Sequence, residues 1–228
     1  MGAILDLVRV LFAPAAVFER VRERPRFVAP VGTIMLLSVI IGLLTLPYIK
    51  AALGPVLAQA AAAPGGGGPA PDVGMIAIFQ VIASAVFVPI FVALVGGILW
   101  VVVSIFGEDA KYRLLTSVAG YTSIMYILQL AMGFAVLSIR GVESIASPLD
   151  LQPAFGLDLL APEATGYVGG VLRGINVFSV WGLILNGIGI TTTHHTSKAT
   201  GYSAAAVAFV VTVLFVSLFA LLQPTSPG

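Results

Sequence analysis

Five uncharged, mostly apolar stretches constrain this chain more than any motif in it. They run from about Ala29 to Ile49, Met75 to Phe106, Leu114 to Ile139, Gly174 to Thr192 and Tyr202 to Leu222. A helix crossing a bilayer needs about 20 predominantly apolar residues, and each stretch is close to that length or above it. Hydrocarbon offers no partner to backbone N–H and C=O groups, so a crossing segment must satisfy its own, as a helix does. The short alternating strands of a membrane barrel are absent. Charged residues are 9% of the chain and hydrophobic ones 59%, against about 25% charged in a soluble domain. So few charges cannot cover a water-facing surface without large apolar patches. The expected fold is an all-α membrane protein, a five-transmembrane-helix bundle.

The charges that remain are unevenly placed. "FERVRERPRFVAP", Phe18 to Pro30, holds Arg20, Arg22, Arg24 and Arg26 directly before the first apolar stretch. Basic residues favour the cytoplasmic side of a membrane. With the N-terminus inside, the inner segments carry Arg9, these four arginines, Lys111, Arg113 and Lys198; the outer ones carry Lys50, Arg140 and Arg173. The acidic residues divide evenly, so the asymmetry lies in the cations. Five crossings then put the C-terminus outside, in the cell membrane (the cytoplasmic membrane of a bacterium).

Residues 1–28 form an expected inner-face segment. Ile4, Leu5, Leu7, Val8, Leu11 and Phe12 make a helical apolar stripe with Asp6 and Arg9 off it, and Pro14 suits the first turn of a second short helix. No basic residue precedes the first apolar run and no small-residue cleavage pattern closes it, so Met1 onward is expected in the mature chain. Two readings stand for Arg20, Arg22, Arg24 and Arg26. They are a topogenic flank, or they also contact a partner, with anionic lipid headgroups attracting each at about 1 kcal/mol near the surface.

Chemistry is sparse. There is no cysteine, hence no thiolate nucleophile or Cys-ligated metal. No P-loop, nucleophile elbow or zinc-protease signature occurs. His194 and His195 are adjacent and diverge on a helix, and no acid completes a ligand set, so they read as solvated interfacial residues. No catalytic residue, metal, cofactor or nucleic-acid partner is expected. Residues 51–74, with Gly65 to Gly68, read as a flexible Gly/Pro/Ala-rich loop, and 223–228 as a short tail. The outer loop from Arg140 to Arg173 suggests short helices or turns begun at Ser147-Pro148 and Ala161-Pro162. Gly107 suits the end of the second span and Asp109 the cap of the next helix.

The candidate intramembrane polar cluster is Tyr121, Tyr126, Gln129, Asn176 and Asn186. These residues serve as interhelical glue, or they line a cavity of a small permease or channel between spans three and four. Gly170 and Gly174, Gly182, Gly187 and Gly189, and Ala204 and Ala208 mark close helix approach, within the bundle or in a homo-oligomer or membrane-protein complex. Pro89 is expected to bend the second span.

Three segments in order carry a family resemblance. "LFAPAAVFERVRERPRFVAPV", "FGEDAKYRLLTSVAGYTSI" and "INVFSVWGLILNGIGI" with the following Lys198-Ala199 resemble the Yip1-domain family in its bacterial form. The resemblance implies a five-span integral membrane protein without enzymatic activity, acting in membrane organisation, trafficking-like or assembly processes through lipid and protein contacts. Eukaryotic members bind Rab GTPases and carry an Asp-Leu-Tyr-Gly-Pro motif in a longer N-terminal region. This chain lacks that motif, and Rab binding is not carried over.

Overall fold

A computed structural model describes residues 2–63 and 71–222. Among them the chain is helical, without a strand; one isolated bridge joins Gly156 and Asn176. The helices are α1 (Gly2–Arg9), α2 (Pro14–Glu23), α3 (Val28–Ala62), α4 (Val73–Ile105), α5 (Tyr112–Thr122), α6 (Ile124–Arg140), α7 (Gly166–Gly174), α8 (Val177–His194) and α9 (Lys198–Ser217). Four are long and apolar enough to cross a membrane: Val28–Ala62, Val73–Ile105, Tyr112–Arg140 taken through a break, and Lys198–Leu221. α8 is not among them. Its 18 residues include Asn186, three threonines and His194, which dilute its apolar content.

Several local expectations meet the structure directly. Pro14 occupies the start of α2, where its missing N–H would have had no partner anyway. Gly107 follows α4 with φ +82° and donates its N–H to Ser104 O at 3.0 Å, the left-handed stop that glycine adopts without a Cβ clash. Ser147 precedes a 3₁₀ turn over Pro148–Leu151.

Others need correction. α3 does not stop at Ile49 but continues to Ala62, so the first half of the expected 51–74 loop is helical. Alanine is the strongest helix former, and 51–63 holds seven alanines. At 35 residues the helix is about 52 Å long, beyond the roughly 30 Å of bilayer hydrocarbon. The other end of that loop is ordered too: Asp72 Oδ1 accepts the N–H groups of Gly74 at 2.7 Å and Met75 at 3.3 Å, starting α4. The Gly65–Gly68 run and the 223–228 tail lie outside the described residues. Asp109 does not cap α5; the cap position is Lys111, with no side-chain bond to the helix. The third expected span breaks into α5 and α6 at Ser123, whose hydroxyl and N–H both turn back to Ala119 O, at 2.7 and 3.0 Å.

Two compact units divide the chain: Met1–Thr33, Pro89–Tyr126 and Ala154–Gly228 form one, and Ile34–Val88 with Ile127–Pro153 the other. In the second, α3 and α4 approach where Gly42 faces Val81; a Cβ there would lie 2.6 Å from Val81 Cγ1. Ile49, Ala77 and Val81 cluster beside them, and Tyr48, Ala52, Leu137 and Ile145 form a further cluster. In the first unit α2 and α5 pack on α8, α8 on α9, and α7 on α9. Phe18, Leu115, Leu185 and Ile190 are fully buried there. The α8–α9 seam needs small residues. A Cβ on Gly187 would lie 2.6 Å from the Tyr202 ring, and one on Gly201 would collide with Thr191. Gly174 and Gly170 of α7 meet Val213 and Ser217 of α9, so the GxxxG pair is used inside the chain. Ala204 and Ala208 are buried as well.

Candidate functional site

The end of the first unit that carries the arginine cluster holds the densest long-range polar bonding outside the helix ladders. α1 packs on α2, and Leu7 of α1 and Val10 just after it are buried. Asp6, 8% exposed, receives Arg20 in a fork: Nη2–H donates to Oδ1 at 2.6 Å and Nε–H to Oδ2 at 3.2 Å. A carboxylate removed from water needs such bonds. Arg9, three residues later and on the same face of α1, adds a looser contact to Asp6 at 3.8 Å.

Arg22 reaches the far end of α8. Its Nη1–H donates to Thr192 O at 3.4 Å and to His195 Nε2 at 2.8 Å. A cation at a helix C-terminus meets unpaired carbonyls and the negative end of the helix dipole. Beneath these bonds Phe18, wholly buried, lies under Gly189 of α8; a Cβ there would sit 3.4 Å from Phe18 Cζ and collide with Val118. Arg24 and Arg26 are exposed. The four arginines therefore do not act alike: two tie elements together and two face outward.

His194 departs from its expected role as a solvated residue, whereas His195 is exposed. His194 is half-buried. Its Nε2 accepts the backbone N–H of Lys111 at 3.3 Å, and its Nδ1 lies 2.8 Å from Thr193 Oγ1, which donates to Gly189 O at 2.7 Å. His195 ends α8 at φ +53°, the one non-glycine residue with positive φ among those described; histidine enters this region more readily than most residues. No group of three or more acids, histidines or cysteines suited to a metal occurs among the described residues.

The five candidate intramembrane polar residues are not brought together as one set. Asn176 caps α8: its Oδ1 accepts the N–H groups of Phe178 and Ser179 at 2.9 and 3.0 Å, and its Nδ2–H donates to Arg173 O. Asn176 N–H in turn donates to Ser179 Oγ at 2.9 Å. Asn-Val-Phe-Ser has the spacing of a capping box, a signal present in the sequence. Asn186 Oδ1 accepts Thr122 Oγ1–H at 3.3 Å, a single interhelical bond between α8 and α5. Tyr121 is buried in α5, whereas Tyr126 is exposed on α6. Gln129 belongs to the other compact unit. Local caps and one cross-helix bond do not favour the permease reading.

With this geometry in place, comparison with known proteins is decisive. The family model described as Yip1 domain matches residues 8–221. The chain belongs to the Yip1-domain family. It is similar to Membrane protein YknW of Bacillus subtilis (strain 168), 25% identical over 221 residues, covering 94% of this chain and 89% of that protein. No solved structure matches. The family match runs from within α1 to four residues past the end of α9, so the arginine-bearing helix and the α8–α9 pair belong to the same domain as the apolar helices.

Proposed function

We propose that this Yip1-type chain is a non-enzymatic, five-crossing protein of the cell membrane, N-terminus inside and C-terminus outside. On this reading it organises membrane or assembles membrane complexes through its basic inner end. The observation that carries the proposal is the split among the arginines. Arg20 and Arg22 hold α1 and α2 against the bundle, which leaves Arg24 and Arg26 facing outward one turn before α3 begins. Ile4, Leu5, Val8 and Phe12 are exposed on the same N-terminal segment, Phe12 at 83%. Apolar side chains beside unpaired arginines suit an interfacial helix over anionic headgroups.

A fifth crossing through α8 has its own support. Its 18 residues span about 27 Å, near the hydrocarbon thickness. Its first turn bonds Arg173 and bridges Gly156, in the expected outer loop; its last turn bonds Arg22 and Lys111, in the expected inner segments. Neighbouring helices cover part of its polar surface: Asn186 has Thr122, and Thr193 bonds its own backbone.

The test is purification of the whole chain in native lipid discs, with and without Arg24→Gln/Arg26→Gln. Enrichment of anionic lipid that falls in the double variant supports the reading. Recovery of one specific small solute, without lipid or protein enrichment, overturns it.

A further inference from the structure

α9 continues through a 3₁₀ turn over Leu218–Leu222, and Lys198–Leu221 is apolar enough to cross a membrane as one element. Along it run first α8 and then α7, antiparallel. Gly187 meets Tyr202, Gly174 meets Val213, Gly170 meets Ser217 and Ala220, and a Cβ on Gly166 would lie 3.9 Å from Leu221. The helix partnering α9 therefore breaks at Ile175 and Asn176, level with Val213 and about 12 Å before Leu221. Backbone opened near the end of a crossing needs partners inside the protein, and residues 155–157 supply them. Leu157 N–H donates to Ile175 O at 3.1 Å, Gly156 bridges Asn176, and the Phe155 ring meets that of Phe178 edge-on at 5.7 Å. A side chain on Gly156 would collide with Ile175 O and Asn176, so this close approach requires glycine.

That bridge fixes the 3₁₀ turn that follows, Leu157–Leu160. Leu159 is 64% exposed and Leu160 82%, while the Asp158 carboxylate turns back to Gly156 N–H at 3.0 Å. We propose that Leu159 and Leu160 anchor this end of the chain in the outer leaflet, between the headgroups and acyl chains of zwitterionic lipid. The inference rests on the α8 crossing proposed above, which puts residues 154–174 on the outer side. Continuity with the apolar surface of a crossing helix argues for lipid as the occupant. Phe219 and Leu221 at the end of the α9 element are exposed, as is Val168 of α7 between them and the turn. Charge narrows the headgroup. Ala154 to Leu172 holds Asp158 and Glu163 and no lysine or arginine, so nothing there attracts an anionic lipid. Exposed apolar side chains on a short turn, at the level where a crossing ends, suit insertion at the interface. The two ends of the first unit then meet lipid by different means, through arginines at the inner face and through leucines without basic residues at the outer.

A bimane fluorophore on Leu160→Cys or on Glu163→Cys of the otherwise cysteine-free full chain reads both environments in lipid discs. Phosphatidylcholine brominated near the top of its acyl chains should quench the Leu160→Cys label several-fold more than the Glu163→Cys label. Aqueous iodide should show the reverse order. Adding anionic lipid should leave the Leu160→Cys result unchanged. Three results would overturn the anchor while Glu163→Cys still reacts with an impermeant thiol reagent from the outer side alone. They are a Leu160→Cys label open to iodide, one shielded from both quenchers by protein, and lipid quenching that appears only when anionic lipid is present. Reaction of Glu163→Cys and Thr196→Cys from the same side would instead overturn the crossing, and the anchor with it.

Discussion

The basic end of the first unit and the connecting segment 141–176 are both rich in polar residues, but they are bonded on different principles. At the basic end the side-chain bonds join residues 14, 83, 170 and 173 positions apart. In the connecting segment the side-chain hydrogen bonds of Asp150, Asp158 and Asn176 close within four. Asp150 Oδ2 accepts the N–H groups of Ala146 and Ser147, Asp158 accepts that of Gly156, and Asn176 bonds its own helix. The first pattern clamps elements against one another, and the second shapes a loop that would otherwise carry unpaired backbone groups. Damage at the basic end should therefore spread, and damage in the segment should stay local.

The largest separation should come from Phe18→Ala. Truncating a fully buried phenylalanine costs about 3–5 kcal/mol, and here it empties the contact under Gly189 and Val118. Unfolding followed in lipid discs should show that loss, with increased hydrogen exchange in α2, α5 and α8 together. A change confined to α2 would break the comparison.

Asp6→Asn is expected to cost about 1 kcal/mol: Asp6 is buried, but the Arg20 side chain is 46% exposed, and solvent screening discounts the pair. Exchange should rise across both α1 and α2. Asn176→Ala should cost a similar amount, about 1 kcal/mol, as for other lost N-caps. Its exchange signature should stop within the first turn of α8. Spread of that signature to His194 would show that the cap and the far end of α8 are coupled.

That contrast also explains what was legible in advance. The apolar lengths, the Pro14 start, the Gly107 stop and the Ser147-Pro148 turn each rest on a few consecutive residues, and all could be read from them. The Asn176 box was equally local, yet its membrane-like surroundings drew it into a supposed polar cluster. The Arg22–His195 and Lys111–His194 bonds depend on which helices pack together, and no spacing in the sequence encodes that. Ser123 illustrates the same limit: Ser117, Ser123 and Ser138 all lie in that apolar stretch, and nothing in the sequence marks the one at which the helix breaks. The alanines of 51–63 were hidden differently, because the glycine run beyond them set the reading for the whole loop.

Mild acid sharpens the comparison without mutation. Burial of Asp150 opposes ionisation, but the N–H groups of Ala146 and Ser147, the Ser147 hydroxyl and Arg140 together hold its pKa below the usual 3.8. Its bonds are present above that value and are lost only as pH falls through the lowered one. At pH 5, exchange across 146–151 should therefore stay as low as at pH 7. The smallest effect on the fold belongs to Arg24→Gln/Arg26→Gln. Stability should shift by less than about 0.5 kcal/mol, as for surface changes generally, while anionic-lipid enrichment falls.

The placement of α8 underlies both regions, because it carries a local cap at one end and the long-range seam at the other. Single cysteines at Asp109, Glu163 and Thr196, placed in the cysteine-free chain, can be probed with a membrane-impermeant thiol reagent from each side. Asp109→Cys and Thr196→Cys should react from the inner side alone, and Glu163→Cys from the outer side alone. Reaction of Thr196→Cys and Glu163→Cys from the same side would mean that α8 does not cross, and would contradict the account.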